Sequence, residues 1–309
     1  MALAYLESLG VNPSDSIKQI IISHFHDDHI RGLAATIEKC PNAQVWYPAP
    51  MTDDTFMTLV SLAGEIDSKH KSGIKELEKT LEVLEKNKLL YKQRVCMVLE
   101  NTEILNDPSK KVCMRALSPS TTTIGLVRSV VNAQSLIKKA TIDEDELNFT
   151  SIAISAKLGK LSFLLGSDLE CCSKNNDIGW GRVLEIFPGQ PCFEKSRHFK
   201  IPHHGSENGD HPRIWEDLVE SQPRTVCTRF NKKSLPLDKD VERIKKRSFE
   251  AYLTSFGKNK KRGTVRLLGD FDIETNSSIQ KDGFVRFRFD ENTDFENVTV
   301  DPFGSARKL

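Results

Sequence analysis

The sequence predicts an α/β fold in which strands of a covered sheet deliver polar side chains at their C-terminal ends. Three observations carry this expectation. Ile20, Ile21 and Ile22 form an uninterrupted β-branched run, which suits a strand buried on both faces. That run leads through Ser23 into His24, His26, Asp27, Asp28 and His29. Two further polar clusters, Gly166-Ser167-Asp168 and Pro202-His203-His204-Gly205-Ser206, also follow apolar runs, and segments of helical periodicity lie between them.

Taken in order, residues 2–9 repeat apolar side chains at helical spacing and stop at Gly10, a residue suited to the turn after a helix. Val11 to Asp15 then turns into the isoleucine strand. Ile30 to Cys40 has a helical pattern ended by Pro41-Asn42, and Val45-Trp46-Tyr47 is the next expected strand. Residues 52–90 are expected to be largely helical, with Ile74, Leu77, Leu81 and Leu84 as the apolar stripe of a helix laid on the body of the protein. Arg94 to Leu99 and Val112 to Leu117 read as strands separated by turns, Gly125 to Lys139 as a helix, and Thr141 to Glu146 as an acidic loop. Ser151 to Ala156 and Leu161 to Leu165 flank Lys157-Leu158-Gly159-Lys160, which makes a β-hairpin. Beyond it the pattern gives a helix at 180–187, a strand at 198–201, a helix at 212–219, a short strand at 224–228 and a basic helix at 239–248. Tyr252 to Thr254 and residues 264–268 are further expected strands around a loop containing glycine and lysine. Phe284 to Phe289 alternates apolar residues with Arg286 and Arg288, a period of two. No repeat or long linker interrupts the 309 residues, so a single domain is the simplest parse.

His24 and His26 lie two apart, so on an extended backbone both side chains point to one side and can share an ion. Asp28 and His29 follow after the chain has turned and can face a second ion beside the first. This His-x-His-x-Asp-His pattern resembles that of the metallo-β-lactamase-fold hydrolases, without a substitution. The resemblance implies an αββα sandwich binding two zinc ions. By it, His24 and His26 hold the first ion, Asp28 and His29 the second, and Asp168 bridges both. A histidine before Gly205 completes the second site; His204 is favoured because it adjoins the glycine, which leaves His203 as a proton donor or support.

One family histidine has no counterpart. The segment where it would fall reads Leu147-Asn148-Phe149-Thr150-Ser151, and His70 lies in a lysine-rich, solvated stretch. Asn148 stands near that position and offers a neutral oxygen, acceptable to manganese but a poorer ligand for zinc. The first site is therefore expected to be the weaker. The family's first strands have no counterpart either, so the fold is expected to be incomplete at its N-terminus, with a sheet edge that a protein chain would complete.

Asn148, Gly166-Ser167-Asp168-Leu169 and the His203-His204 turn narrow the resemblance to the subgroup similar to the hydrolase domain of the bacterial DNA-uptake channel (ComEC-like). It covers residues 2–230, and 231–309 add the basic helix and closing strands. It implies phosphodiester cleavage by a metal-bound hydroxide, with DNA the leading substrate, Asp28 and Asp168 at the metals, and His203 or Ser206 serving the leaving oxygen. Two other readings accompany it: hydrolysis of a lactam, thioester or lactone on the same fold, and a non-catalytic fragment or scaffold needing a partner chain.

Composition bounds these readings. The net charge of +1 exerts no global pull toward nucleic acid or membrane. Between residues 239 and 262, however, nine basic residues (Lys239, Arg243, Lys245, Lys246, Arg247, Lys258, Lys260, Lys261, Arg262) face three acidic ones, and such a patch can track phosphates. Seven cysteines without a Cys-x-x-Cys pair fit a reducing compartment. No apolar stretch approaches the roughly 20 residues of a membrane span, and no basic-then-apolar leader precedes the strands. A cytoplasmic protein without membrane contact is expected.

Overall fold

Most β-branched runs become strands and most periodic segments become helices in the computed structural model, which describes residues 2–52, 71–86, 94–137, 148–190, 193–230, 234–255 and 283–309. These fall into two compact units, Met1–Thr102 with Ala116–Ile152, and Glu103–Arg115 with Ala153–Leu309. Both mix helix and sheet, as the α/β expectation requires.

The first unit opens with α1 (Ala2–Ser8) and α2 (Pro13–Ser16), the latter capped by Asn12, whose side chain accepts from Ser14 N at 3.1 Å. Its sheet is parallel throughout, in the order β1 (Gln19–Ile21), β2 (Gln44–Pro48), β3 (Val95–Val98); among the described residues β1 is thus an edge strand and only half-buried, where the isoleucine run suggested a strand covered on both faces. The helix expected over 30–40 starts at Leu33 as α4 (Leu33–Lys39), because Gly32 adopts φ +82, and a separate turn of helix, α3 (Asp27–Ile30), precedes it. Helix α5 (Lys71–Glu85) buries Leu77 and Leu84 against Ile22, Phe25, Ile30, Ile37, Val45, Met51 and Val127. Each such side chain contributes about 1.5–3 kcal/mol of burial. Leu81 packs at the margin of this cluster. Gly73 lets the first turn of α5 approach the histidine motif, since a Cβ there would stand 3.3 Å from Asp27 N and Phe25 O. Glu76 accepts from Ala34 N at 3.0 Å and so satisfies an orphan donor at the start of α4. Helix α6 (Thr121–Ile137) begins four residues before the expected start at Gly125.

The second unit is built on a mixed eight-stranded sheet. Its strands are β4 (Glu103–Asp107), β5 (Val112–Ala116), β6 (Ile154–Leu158), β7 (Leu161–Leu165), β8 (Ser196–Lys200), β9 (Val219–Cys227), β10 (Glu250–Leu253) and β13 (Arg307–Lys308), in the order β13-β10-β9-β8-β7-β6-β5-β4. β6 and β7 form the expected hairpin, while β7, β8, β9 and β10 are parallel to one another. Helices α7 (Gly179–Ile186) and α8 (Asp238–Arg247) and a two-stranded ribbon, β11 (Phe284–Arg288) with β12 (Thr299–Phe303), complete the described part. Trp180 is fully buried, and its ring N–H donates to Leu169 O at 2.7 Å, which ties α7 to the segment after β7.

Local pattern misled at two places. Glu103–Asp107 was expected as a turn but pairs with β5, because ladder bonds outweigh its weak strand propensity. The helix expected over 212–219 shrinks to a π-helical turn at Ile214–Leu218, since Val219 already pairs with Ser196. Strand β9 is correspondingly longer than the short strand at 224–228.

His70, the acidic loop at 141–146, the strand at 264–268 and Lys258, Lys260, Lys261 and Arg262 lie outside the described residues. Among those described, no helix is long and apolar enough to cross a membrane.

Candidate metal centre

In the first unit, β1 ends and the chain runs through Ser23 into four of the expected ligands. His24 is fully buried, and its Nε2 lies 3.1 Å from His26 Nδ1. The Ser23 hydroxyl lies 3.3 Å from both His24 Nδ1 and His29 Nδ1, and the His24 and His29 rings approach to 4.1 Å between centroids. Asp28 Oδ2 is 3.6 Å from His29 Nε2. Asp28 and His29 are solvent-exposed, in the first helical turn of α3. The segment carrying Asn148 is held beside this motif by the bond from Ile152 N to Ser23 O, 2.9 Å, and by Ser118 Oγ donating to Ser151 O at 2.7 Å. Asn148 is buried.

In the second unit, the parallel pairing of β7 and β8 does the positioning. Leu165 is in register with Lys200, so Asp168 and His203 each follow their strand by three residues. Gly166 N donates to Lys200 O at 3.1 Å and His203 N to Ser167 O at 2.9 Å, locking the two turns together. Gly166 permits this approach, because a Cβ there would meet Pro202 Cβ at 2.8 Å and Lys200 O at 3.0 Å. Ser167, His203, His204 and Gly205 have φ of 49, 41, 53 and 78. Three of these are non-glycine residues in the left-handed region, a strain of order 1–3 kcal/mol each that concentrates at functional sites.

These turns bring His204 Nε2 to 3.3 Å from Asp168 Oδ2, with both residues buried. On its other side, His204 Nδ1 lies 3.2 Å from Thr228 O and 3.4 Å from Thr228 Oγ1, and Phe230 stacks on the ring at 4.9 Å. His203 turns elsewhere: its Nδ1 is 2.9 Å from Glu170 Oε1 and 2.9 Å from Asn208 Oδ1. Burial pulls the His203 pKa down, but the bond to Glu170 and the charges of Glu170 and Asp168 outweigh it and hold the imidazole above its usual range. The Ser206 hydroxyl donates to Asn208 Oδ1. It therefore braces the partner of His203, whereas the sequence suggested that it orients a leaving oxygen.

Among the described residues, the first unit offers Asp28 and His29, and the second Asp168 and His204, as side chains of the types that hold metal ions. These are the residues expected for the second ion. His24 and His26 are not in this group, and the facing nitrogens that would hold a first ion are hydrogen-bonded to each other.

The described part of the basic patch is largely neutralised by neighbouring carboxylates. Lys239 pairs with Glu207 at 2.8 Å, Lys245 with Glu242 at 3.5 Å, and Arg247 with Asp210 at 3.3 Å. Arg243 pairs with Asp210 and Asp240, and its Nη2 donates to Gly205 O at 2.8 Å. Arg243 is thus a brace of the histidine turn. Beside α8 lies an open groove of about 990 Å³ in which Lys245 and Lys246 share the walls with Glu216, Glu220 and Glu242.

Sequence reading missed Glu170, Asn208, Thr228 and Lys200. Glu170, two residues after Asp168, and Asn208, five after His203, lie close in sequence to the clusters they serve; Lys200 and Thr228 are brought in by β8 and β9. A search of protein-family models finds no match to this chain, and a search of curated proteins finds none either.

Proposed function

We propose that the protein is a metal-dependent hydrolase of the metallo-β-lactamase type that cleaves a phosphodiester, with DNA the substrate its resemblance favours. The observation that carries the metal reading is the setting of His204. A carbonyl oxygen can only accept, so Nδ1, facing Thr228 O at 3.2 Å, carries a proton. In the neutral ring Nε2 then bears a lone pair, and it faces a buried carboxylate oxygen at 3.3 Å. A proton or a metal ion can bridge two such donors, and backbone-anchored histidine with carboxylate is a set that zinc or manganese accepts.

In this reading Asp28, His29, Asp168 and His204 would hold one ion, and His24 and His26 a weaker one. A bound ion supplies Lewis acidity and makes a water nucleophile available near neutral pH. The chain supplies the rest. Asp168 and His204 are held by the paired turns, Glu170 and Asn208 anchor His203 through Nδ1, and in this reading its Nε2 holds or delivers a proton.

The test is metal analysis of purified protein, followed by hydrolysis of bis(p-nitrophenyl) phosphate, single-stranded DNA and a thioester. Zinc or manganese should be retained, the phosphodiesters should be cleaved, and Asp168→Ala and His204→Ala should each lower the rate by at least about 100-fold, the scale on which loss of a catalytic electrostatic group is felt. Turnover of the thioester alone would move the substrate to the acyl class. Unchanged phosphodiester cleavage in Asp168→Ala would end the proposal.

A further inference from the structure

We infer that Lys200 is a positioning residue for the metal ligand His204, acting through Thr228. The inference rests on the metal reading above and assigns a role to two residues outside the ligand set. The Lys200 ammonium donates to Ile201 O at 3.1 Å and to Thr228 Oγ1 at 3.0 Å, so it clasps the end of β8 to the residue following β9. Thr228 is also the residue whose carbonyl and hydroxyl oxygens face His204 Nδ1 at 3.2 and 3.4 Å. A bond from Ile201 N to Val226 O, 2.8 Å, closes the same junction from the backbone side.

The chemistry gives the clasp its purpose. The Thr228 hydroxyl is both donor and acceptor. Were Thr228 to shift and withdraw its carbonyl, the hydroxyl could donate to Nδ1 instead, leaving the proton on Nε2, the tautomer that cannot bind a metal through that atom. An ammonium can only donate, so Oγ1 accepts from Lys200, and that bond fixes where the Thr228 side chain and backbone lie. It also holds the Thr228 carbonyl against the ring. The carbonyl then takes the Nδ1 proton, and Nε2 is directed at Asp168. Outer partners of this kind usually change metal affinity by about 10–100-fold when removed.

The test uses the full chain, freed of metal and titrated with Zn²⁺ against a chromophoric chelator, with Co²⁺ absorption as a report on ligand geometry. Lys200→Met keeps the aliphatic stem but removes the donor. It should weaken Zn²⁺ binding about 10–100-fold and alter the Co²⁺ spectrum. Lys200→Arg, which retains a donor, should recover most of the affinity. Thr228→Val should match Lys200→Met, and the double variant should be no worse than either single one, because both cut one chain of bonds. Equal affinity and spectrum in Lys200→Met and the unmodified protein would overturn the role while leaving the metal reading intact, as would additive losses in the double variant. If Lys200→Met does not fold, unchanged binding in Thr228→Val overturns the role by itself. An unmodified protein that takes up neither ion overturns the metal reading, and this role with it.

Discussion

At the scale of the residue, His198 shows how the same side chain serves opposite ends in one unit. His203 and His204 lie among carboxylates, whereas His198 is 3 % exposed, stacked on Phe163 at 4.7 Å and close to Phe295 and Phe287. Burial lowers its pKa to about 4, helped by the charges of Arg224 and Arg197 and opposed by the bond to Ser162 O. The folded state therefore holds the ring neutral where the unfolded chain, near 6.5, would protonate it. Stability is full above about pH 6.5 and falls as pH drops toward 4, by on the order of 3 kcal/mol from this group. Denaturant unfolding at pH 7 and pH 4.5 should show that loss in the unmodified protein, and His198→Phe should remove most of it. An equal loss in His198→Phe would assign the acid sensitivity to other groups.

Elements decide where the chemistry goes. The His203-His204-Gly205 turn is held from β7 through Ser167 O and from α8 through Arg243. Arg243→Ala should be costly, because Asp240 is 1 % exposed and would lose its cation; breaking a buried pair from one side typically costs about 3–5 kcal/mol. Thermal unfolding of the variant reads that directly. Were Arg243 only a phosphate contact, stability would be unchanged and only salt-dependent DNA binding would fall. Gly166→Ala tests the β7 side. Its Cβ would press on the Pro202 ring and the Lys200 carbonyl, neither of which yields easily. The expected outcome is metal affinity reduced at least as far as in Thr228→Val, measured by the same titration, with the β6–β7 hairpin retained by circular dichroism.

For the whole molecule, the question is whether the two pairs of candidate donors serve one ion. Asp28→Ala and Asp168→Ala should each abolish tight metal binding, and a chelator should lower the unfolding temperature of the unmodified protein but of neither variant. At metal concentrations 100 times the dissociation constant, binding adds about 2.7 kcal/mol to stability. Tight binding that survives Asp28→Ala would separate the first unit's carboxylate from the ion held by the second. Asn148→His offers the complementary gain: if His24 and His26 hold a weak second ion, an added imidazole should strengthen it.

What was legible in the sequence was what depends on local order. Ile20 and Ile21 declared a strand because β-branched side chains pack on a pleated sheet, and the histidine and aspartate spacing after it declared candidate ligands because donor type and reach are set within a few residues. The β6–β7 hairpin and helices α7 and α8 were legible for the same reason. Tertiary structure alone decided the rest. Gly32 delays a helix that periodicity began at Ile30, and β4 exists because β5 pairs with it. The basic residues of α8 counted as a patch until Asp210 and Asp240 were found beside Arg243. Above all, Glu170 for His203 and Thr228 and Lys200 for His204 are chosen by how β7, β8 and β9 align, while Asn208 reaches His203 from five residues further along the same loop. A hydrogen bond depends on distance in space, and a parallel sheet brings together residues whose separation along the chain carries no sign of it.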